Sequence, residues 1–309
     1  MEKTNRKKIP YGRQNVTEED IEAVVEVLRS DLLTQGPKIA EFEKAFADYV
    51  GSKYAVAVSN GTAALHLNAL SLGVKHGDKV ITTSITFLAS ANCVRYCGGE
   101  VVFADIDPET YLLDIDKVRE LLEQDTKKEI KGIIPVNFAG RVVDMEAFRA
   151  LADEYGCWII EDSCHSPGGY FINSKGERVN SGSGTYADLA IFSFHPVKHI
   201  AAGEGGMITT NDEKLYKKLL NLRTHGVQQD FSKRKYDDAL WYYEMQELGY
   251  NYRLTDIQAA LGLSQLKRAE ERLPIRKKIA KKYEDAFKDK PYIKRQSGFI
   301  EGHAYHLYV

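Results

Sequence analysis

Three short segments carry residue types that do chemistry. In Val58-Ser59-Asn60-Gly61-Thr62-Ala63-Ala64-Leu65 an apolar run ends in a small polar turn and passes into a helix-forming run. Such a turn presents unpaired backbone N–H groups and hydroxyls at a helix amino terminus, which suits a phosphate. No Gly-Lys-Ser/Thr follows, so it is not a Walker loop, and it lacks the dinucleotide glycine spacing. Taken alone it also fits an ordinary capped turn. The second segment, Cys157 to Glu161, delivers Asp162 at the end of an apolar run, followed by Ser163, Cys164 and His165. An aspartate there can hold a positive charge, and Cys164, two residues on, projects to the same side if the chain stays extended. The third is Ile191-Phe192-Ser193-Phe194-His195-Pro196-Val197-Lys198-His199-Ile200, followed by Gly203-Glu204-Gly205-Gly206. A lysine placed directly after an apolar strand suggests a desolvated amine able to act as a nucleophile. His195 and His199 do not make a metal pair, because Pro196 disrupts helical spacing and no third ligand is evident. A phosphate cradle, a strand-end aspartate and a lysine in a turn are together what pyridoxal phosphate requires. The phosphate sits at a helix amino terminus, Asp162 keeps the pyridine nitrogen protonated, and Lys198 forms the Schiff base.

These residues need a scaffold that brings strand ends together. Thr17-Glu18-Glu19-Asp20 before Ile21, Val24, Val25 and Leu28 predicts a capped helix, and a second runs from Ile39 to Tyr49. Beyond Gly51 the pattern alternates: strands at Tyr54–Val58, Lys79–Thr83, Val101–Ala104, Gly132–Val136 and Cys157–Glu161, with helices at Thr62–Leu72, Phe87–Tyr96, Val118–Glu123 and Met145–Tyr155 between them. Such units predict a mainly parallel sheet flanked by helices, with ligands at the carboxyl ends of the strands. Leu189–Phe194 and Met207–Thr210 read as two further strands. A long helical stretch begins at Thr255 and should break or kink at Pro274. His303 to Val309 reads as a strand.

Composition bounds the partners. The 309 residues are 43% hydrophobic and 28% charged, with 42 Lys plus Arg against 44 Asp plus Glu and a net charge of -2. That balance favours neither nucleic acid nor an anionic membrane. No apolar run approaches membrane-spanning length, and the basic stretch Met1 to Lys8 before Ile9-Pro10 lacks an apolar signal core, so a cytoplasmic protein is expected. Cys93, Cys97, Cys157 and Cys164 are too few for a disulfide framework and read as reduced, and no metal site is expected. Asn15-Val16-Thr17 and Asn60-Gly61-Thr62 match a glycosylation pattern without a secreted context to give it meaning. Arg276-Lys277-Lys278 reads as a solvated helix face. Gly182, Gly184 and Ala187 match the dinucleotide spacing but precede a strand, so that match is noise.

Leu33-Thr34-Gln35-Gly36-Pro37, Ser59 to Leu65, Glu161-Asp162, Ser193 to Lys198, Gly203 to Gly206 and Gly249-Tyr250-Asn251-Tyr252-Arg253-Leu254-Thr255-Asp256 resemble the pyridoxal-phosphate sugar aminotransferases of the DegT/DnrJ/EryC1/StrS family. The likeness runs from about Ile9 to Val309 and is nearest to members that act in pseudaminic acid biosynthesis. It implies a fold type I α/β homodimer with active sites at the dimer interface. By resemblance, Lys198 is the catalytic amine and base, Asp162 pairs with the pyridinium, and His165 lies beside the ring hydroxyl. Phe87 and Cys164 match the two ring faces. Gly61, Thr62 and Ser193 bind phosphate, joined by Asn251 from the partner subunit. Tyr252, Arg253 and His306 are candidate sugar-nucleotide contacts. Members with His in place of the lysine dehydrate their substrate, so Lys198 implies transamination. L-glutamate would donate the amine to C4 of a UDP-linked 4-keto-6-deoxy-N-acetylhexosamine. A dTDP-linked or 3-keto sugar is the alternative, and a catalytically silent cofactor-binding homologue is an alternative of another class. The resemblance also implies a cofactor domain over 1–250, then a linking helix and only the opening of a carboxyl-terminal domain over 251–309. Its expected consequence is weakened sugar binding or marginal stability.

Overall fold

The computed structural model describes residues 10, 12–227, 241–296 and 298–309. Met1 to Ile9 lie outside the described residues. Two helices lead in: α1 (Glu18–Leu28) and α2 (Pro37–Val50). The Thr17 N–H donates to Asp20 Oδ2 at 3.0 Å, and Gly51, left-handed at φ 83°, ends α2.

The alternating pattern then unrolls as β1 (Tyr54–Val58), α3 (Gly61–Ser71), β2 (Lys79–Thr83), α4 (Leu88–Tyr96), β3 (Glu100–Ala104), α5 (Ile115–Gln124), β4 (Ile130–Ile134), α6 (Met145–Tyr155) and β5 (Trp158–Asp162). Next come the short strands β6 (Tyr170–Ile172) and β7 (Arg178–Asn180), then β8 (Leu189–Ser193), β9 (Gly206–Thr210) and α7 (Glu213–Arg223). The seven-stranded sheet has the order β1-β9-β8-β5-β4-β2-β3. Pairing is parallel from β8 through β5, β4 and β2 to β3. Only β9 runs against its neighbours β8 and β1. The sheet is therefore mainly parallel, as expected, and its strands other than the edge strand β3 are largely buried on both faces. Ile133, Ile159, Ile160, Ile191 and Phe192 are fully buried.

Two local expectations are corrected. Pro274 does not end the carboxyl-terminal helix. The break falls at Arg268, whose φ of -105° and ψ of 4° separate α8 (Asp256–Lys267) from α9 (Ala269–Phe287), and α9 runs through Pro274. Near a helix start the proline forfeits only one intrahelical bond. His303 to Val309 is not a strand. Its backbone instead bonds a 3-10 turn at Phe138–Gly140, with Ala304 N–H donating to Gly140 O at 2.8 Å and Leu307 N–H to Ala139 O at 3.1 Å. Tyr305 there has φ 47°, which breaks the extended repeat. The antiparallel pair β6-β7 and helix α7 had no counterpart in the sequence reading.

No helix of the described residues is long and apolar enough to cross a membrane. The four cysteines are free thiols.

Candidate active site

β1 runs into Asn60, whose extended backbone (φ -169°) and side chain, accepting from Ala63 N–H at 2.8 Å, cap α3. The Gly61 and Thr62 N–H groups are left at the positive end of that helix without intrahelical acceptors. Two glycines permit the approach. A Cβ on Gly61 would lie 3.1 Å from the Ser193 Cβ, and one on Gly206 only 2.5 Å from Asn60 O. The end of β8 and the start of β9 thus press against the capped turn.

β5 delivers alternate side chains to opposite faces. Glu161 enters a buried polar network, accepting from Asn137 Nδ2 at 2.8 Å, Ser181 Oγ at 3.1 Å and Gly182 N–H at 3.1 Å. Burial pushes its carboxyl above the usual carboxylate range. Asp162, 4% exposed, faces the other way. Its Oδ2 accepts from Ser90 Oγ at 2.8 Å and its Oδ1 from Cys164 N–H at 3.2 Å. Among the described residues no cation forms an ion pair with it.

A cavity of about 690 Å³ opens at these strand ends. It is lined by Gly61, Thr62, Phe87, Asp162, Cys164, His165, Ser193, Lys198 and Tyr252. Lys198 follows a turn closed by its N–H on His195 O at 2.8 Å. Burial, then the negative charge of Asp162, push the Cys164 thiol well up, so it is a neutral wall and not a thiolate. His165 is pushed down to about 3 by burial and then by the Lys198 charge. Its Nδ1 accepts from Ala139 N–H at 3.3 Å, so the neutral ring carries its proton on Nε2. Ala139 holds φ 60° to make that turn. Phe87 stands 72% exposed at the rim. The Tyr252 hydroxyl and His66 Nδ1 share a hydrogen bond at 3.1 Å.

Three of the expected residues lie outside this lining. Asn251 is exposed and bridges to Thr224, and Arg253 bridges to Val58. His306 packs behind His165 with ring centroids 4.4 Å apart, because its segment is docked on the 138–140 turn. Conversely, the cavity includes Thr86, Ser90, Tyr96, Phe138 and Glu204, which the sequence reading did not select. The signal for Ser90 was a small polar residue one turn beyond Phe87. Of the described residues, no group of three or more His, Cys, Asp or Glu is placed to hold a metal.

A model of the DegT/DnrJ/EryC1/StrS aminotransferase family matches residues 14–309. The chain belongs to that family. It is a transaminase of fold type I. It is 40% identical over 302 residues to the spore coat polysaccharide biosynthesis protein SpsC of Bacillus subtilis, covering 97% of this chain and 75% of that one. It is 38% identical over 284 residues to the UDP-4-amino-4,6-dideoxy-N-acetyl-beta-L-altrosamine transaminase of Campylobacter jejuni, covering 92% of this chain and 71% of that one. Among solved structures, the sugar aminotransferase Spr1654 of Streptococcus pneumoniae in its PMP form superposes with a TM-score of 0.87 at 31% identity, over 97% of this chain and 78% of that one.

Proposed function

We propose that this family member uses pyridoxal phosphate to move the amino group of L-glutamate onto C4 of a UDP-linked 4-keto-6-deoxy-N-acetylhexosamine, working as a cytoplasmic homodimer. The observation that carries the cofactor is one cavity joining Lys198, the neutral His165, a capped helix amino terminus and a buried carboxylate that has no ion-pair partner among the described residues. A carboxylate buried among neutral donors is costly unless a positive group arrives beside it. The protonated ring nitrogen of the cofactor is such a group. The 4-amino sugar in the Campylobacter relative's name supports the sugar, and the PMP form of the Streptococcus structure supports the cofactor.

Bound pyridoxal phosphate supplies an electron-withdrawing ring, which lets a proton leave the carbon that bears the amine. The residues of the chain divide the remaining work. The N–H groups of Gly61 and Thr62 with the Ser193 hydroxyl hold the phosphate, and Asn251 of the partner subunit reaches it from across the interface. Asp162 keeps the ring nitrogen protonated, and His165 donates from Nε2 to the ring hydroxyl oxygen. Phe87 and Cys164 pack the two ring faces and exclude water. Lys198 would hold the cofactor through its amine and serve as the base that moves the proton. Glutamate leaves as 2-oxoglutarate, and the keto sugar leaves as the amine. Tyr252 contributes a sugar-nucleotide contact from the cavity wall.

The test is to load the protein with pyridoxal phosphate, add L-glutamate, and then add the UDP-linked keto sugar. One 2-oxoglutarate and one 4-amino sugar per turnover are expected. Absence of both half-reactions refutes the reading and leaves a silent homologue. The SpsC relative, named for spore coat polysaccharide, favours a second reading with another keto sugar nucleotide. A completed first half-reaction, followed by amination of a dTDP-linked or 3-keto sugar alone, would select it.

A further inference from the structure

Ser90 sits on α4, fully buried, with its hydroxyl between two groups of the cavity wall. It donates to Asp162 Oδ2 at 2.8 Å and lies 2.7 Å from Thr86 Oγ1. A serine hydroxyl has one proton, and an ionised carboxylate can only accept. The Ser90 proton is therefore committed to Asp162, and Thr86 must donate to Ser90. The order is Thr86 to Ser90 to Asp162, a directed chain across 72 residues of sequence at its second link. Each hydrogen bond in such a chain polarises the next.

The chain ties together two parts that no strand connects. Asp162 ends β5 and Thr86 belongs to the loop that presents Phe87, the residue immediately before α4. With Cys164 N–H on Oδ1 at 3.2 Å, both carboxylate oxygens are held and the carboxylate plane is set. We propose that Ser90 is a positioning residue that fixes the Asp162 carboxylate and, through Thr86, the Phe87 loop in one relation to each other. The group meeting the ring edge and the group meeting the ring face are then set by one buried hydroxyl. This inference rests on the cofactor reading above.

The experiment titrates apo protein with pyridoxal phosphate and follows the absorbance band of the loaded protein against pH. Ser90→Ala should weaken binding about tenfold and move the pH midpoint of the band, as expected for loss of a hydrogen bond to a charged group. Ser90→Cys keeps the size with a weaker donor and should fall between Ala and wild type. Thr86→Val, which leaves Asp162 its donor, should weaken binding only about threefold. A purely structural serine predicts another pattern: Ser90→Ala and Thr86→Val lower the melting temperature while binding and the band midpoint match wild type. That result overturns the inference and leaves the cofactor reading standing. Failure of the wild-type protein to bind pyridoxal phosphate overturns both.

Discussion

Lys198 is a single amine at the cavity wall, and the chemistry proposed for it has no substitute among its neighbours. The Cys164 thiol is held protonated, and His165 is held neutral and oriented by Ala139 N–H. Lys198→Ala should therefore abolish the near-visible absorbance band of cofactor-loaded protein and reduce turnover by at least about 1000-fold. A mutant that retains the wild-type spectrum would sink the assignment. Buried histidines make a second residue-scale prediction. His199 and His303 are each pushed down to about 3, by burial first and then by Arg276 for His199 and Arg141 for His303. Unfolded histidine titrates near 6.5, so between those values the unfolded chain binds more protons, and stability is lost as pH falls below about 6.5. At pH 5 each costs about 2 kcal/mol relative to pH 7. Urea melts at the two values check this, and equal midpoints would refute it.

At the scale of elements, the first turn of α1 shows how a local signal can hide a long-range one. Thr17 and Asp20 read as a helix start, and they are one. The same Asp20 carboxylate, fully buried, also accepts from Ser264 Oγ at 2.7 Å and Gln265 Nε2 at 2.7 Å and pairs with Arg268. It pins α1 to α8 and to the break at Arg268. Asp20→Ala should cost about 3 to 5 kcal/mol, because the Arg268 guanidinium is left half-buried and unpaired. Chemical denaturation would show it, and a loss under about 1 kcal/mol would mean that water replaces the carboxylate. The strand and helix runs from Tyr54 to Asp162 were legible because period and caps are local properties. β6, β7 and the carboxyl-terminal segment were not. Strands of three residues carry too little alternation to read, and the apolar residues of His303 to Val309 serve a docked coil as well as a strand.

For the whole molecule the decisive question is whether two chains share each site. Asn251 is exposed and away from the cavity of its own chain, and Phe87, Leu88, Met245 and Leu248 are exposed apolar residues at 72%, 70%, 67% and 75%. In the proposed homodimer, the interface would cover such side chains. If Asn251 completes the partner's site, Lys198→Ala and Asn251→Ala proteins, each inactive alone, should regain about a quarter of wild-type activity when refolded together, since half the dimers are mixed and hold one intact site. No recovery would place Asn251 in its own chain's chemistry or in none.

The sequence by itself determined the kinds of chemistry on offer. A lysine after an apolar strand, an aspartate at a strand end and a small polar turn before a helix are each read within ten residues, where backbone propensity and side-chain type suffice. Tertiary structure decided which of them meet. Sheet order brings β1, β5 and β8 ends to one edge, although 104 residues separate Val58 from Asp162. It also decided what surrounds them. Burial makes His165 neutral and Cys164 a thiol, and it commits Ser90 to Asp162, because desolvation and hydrogen-bond completion depend on neighbours that only the folded chain supplies.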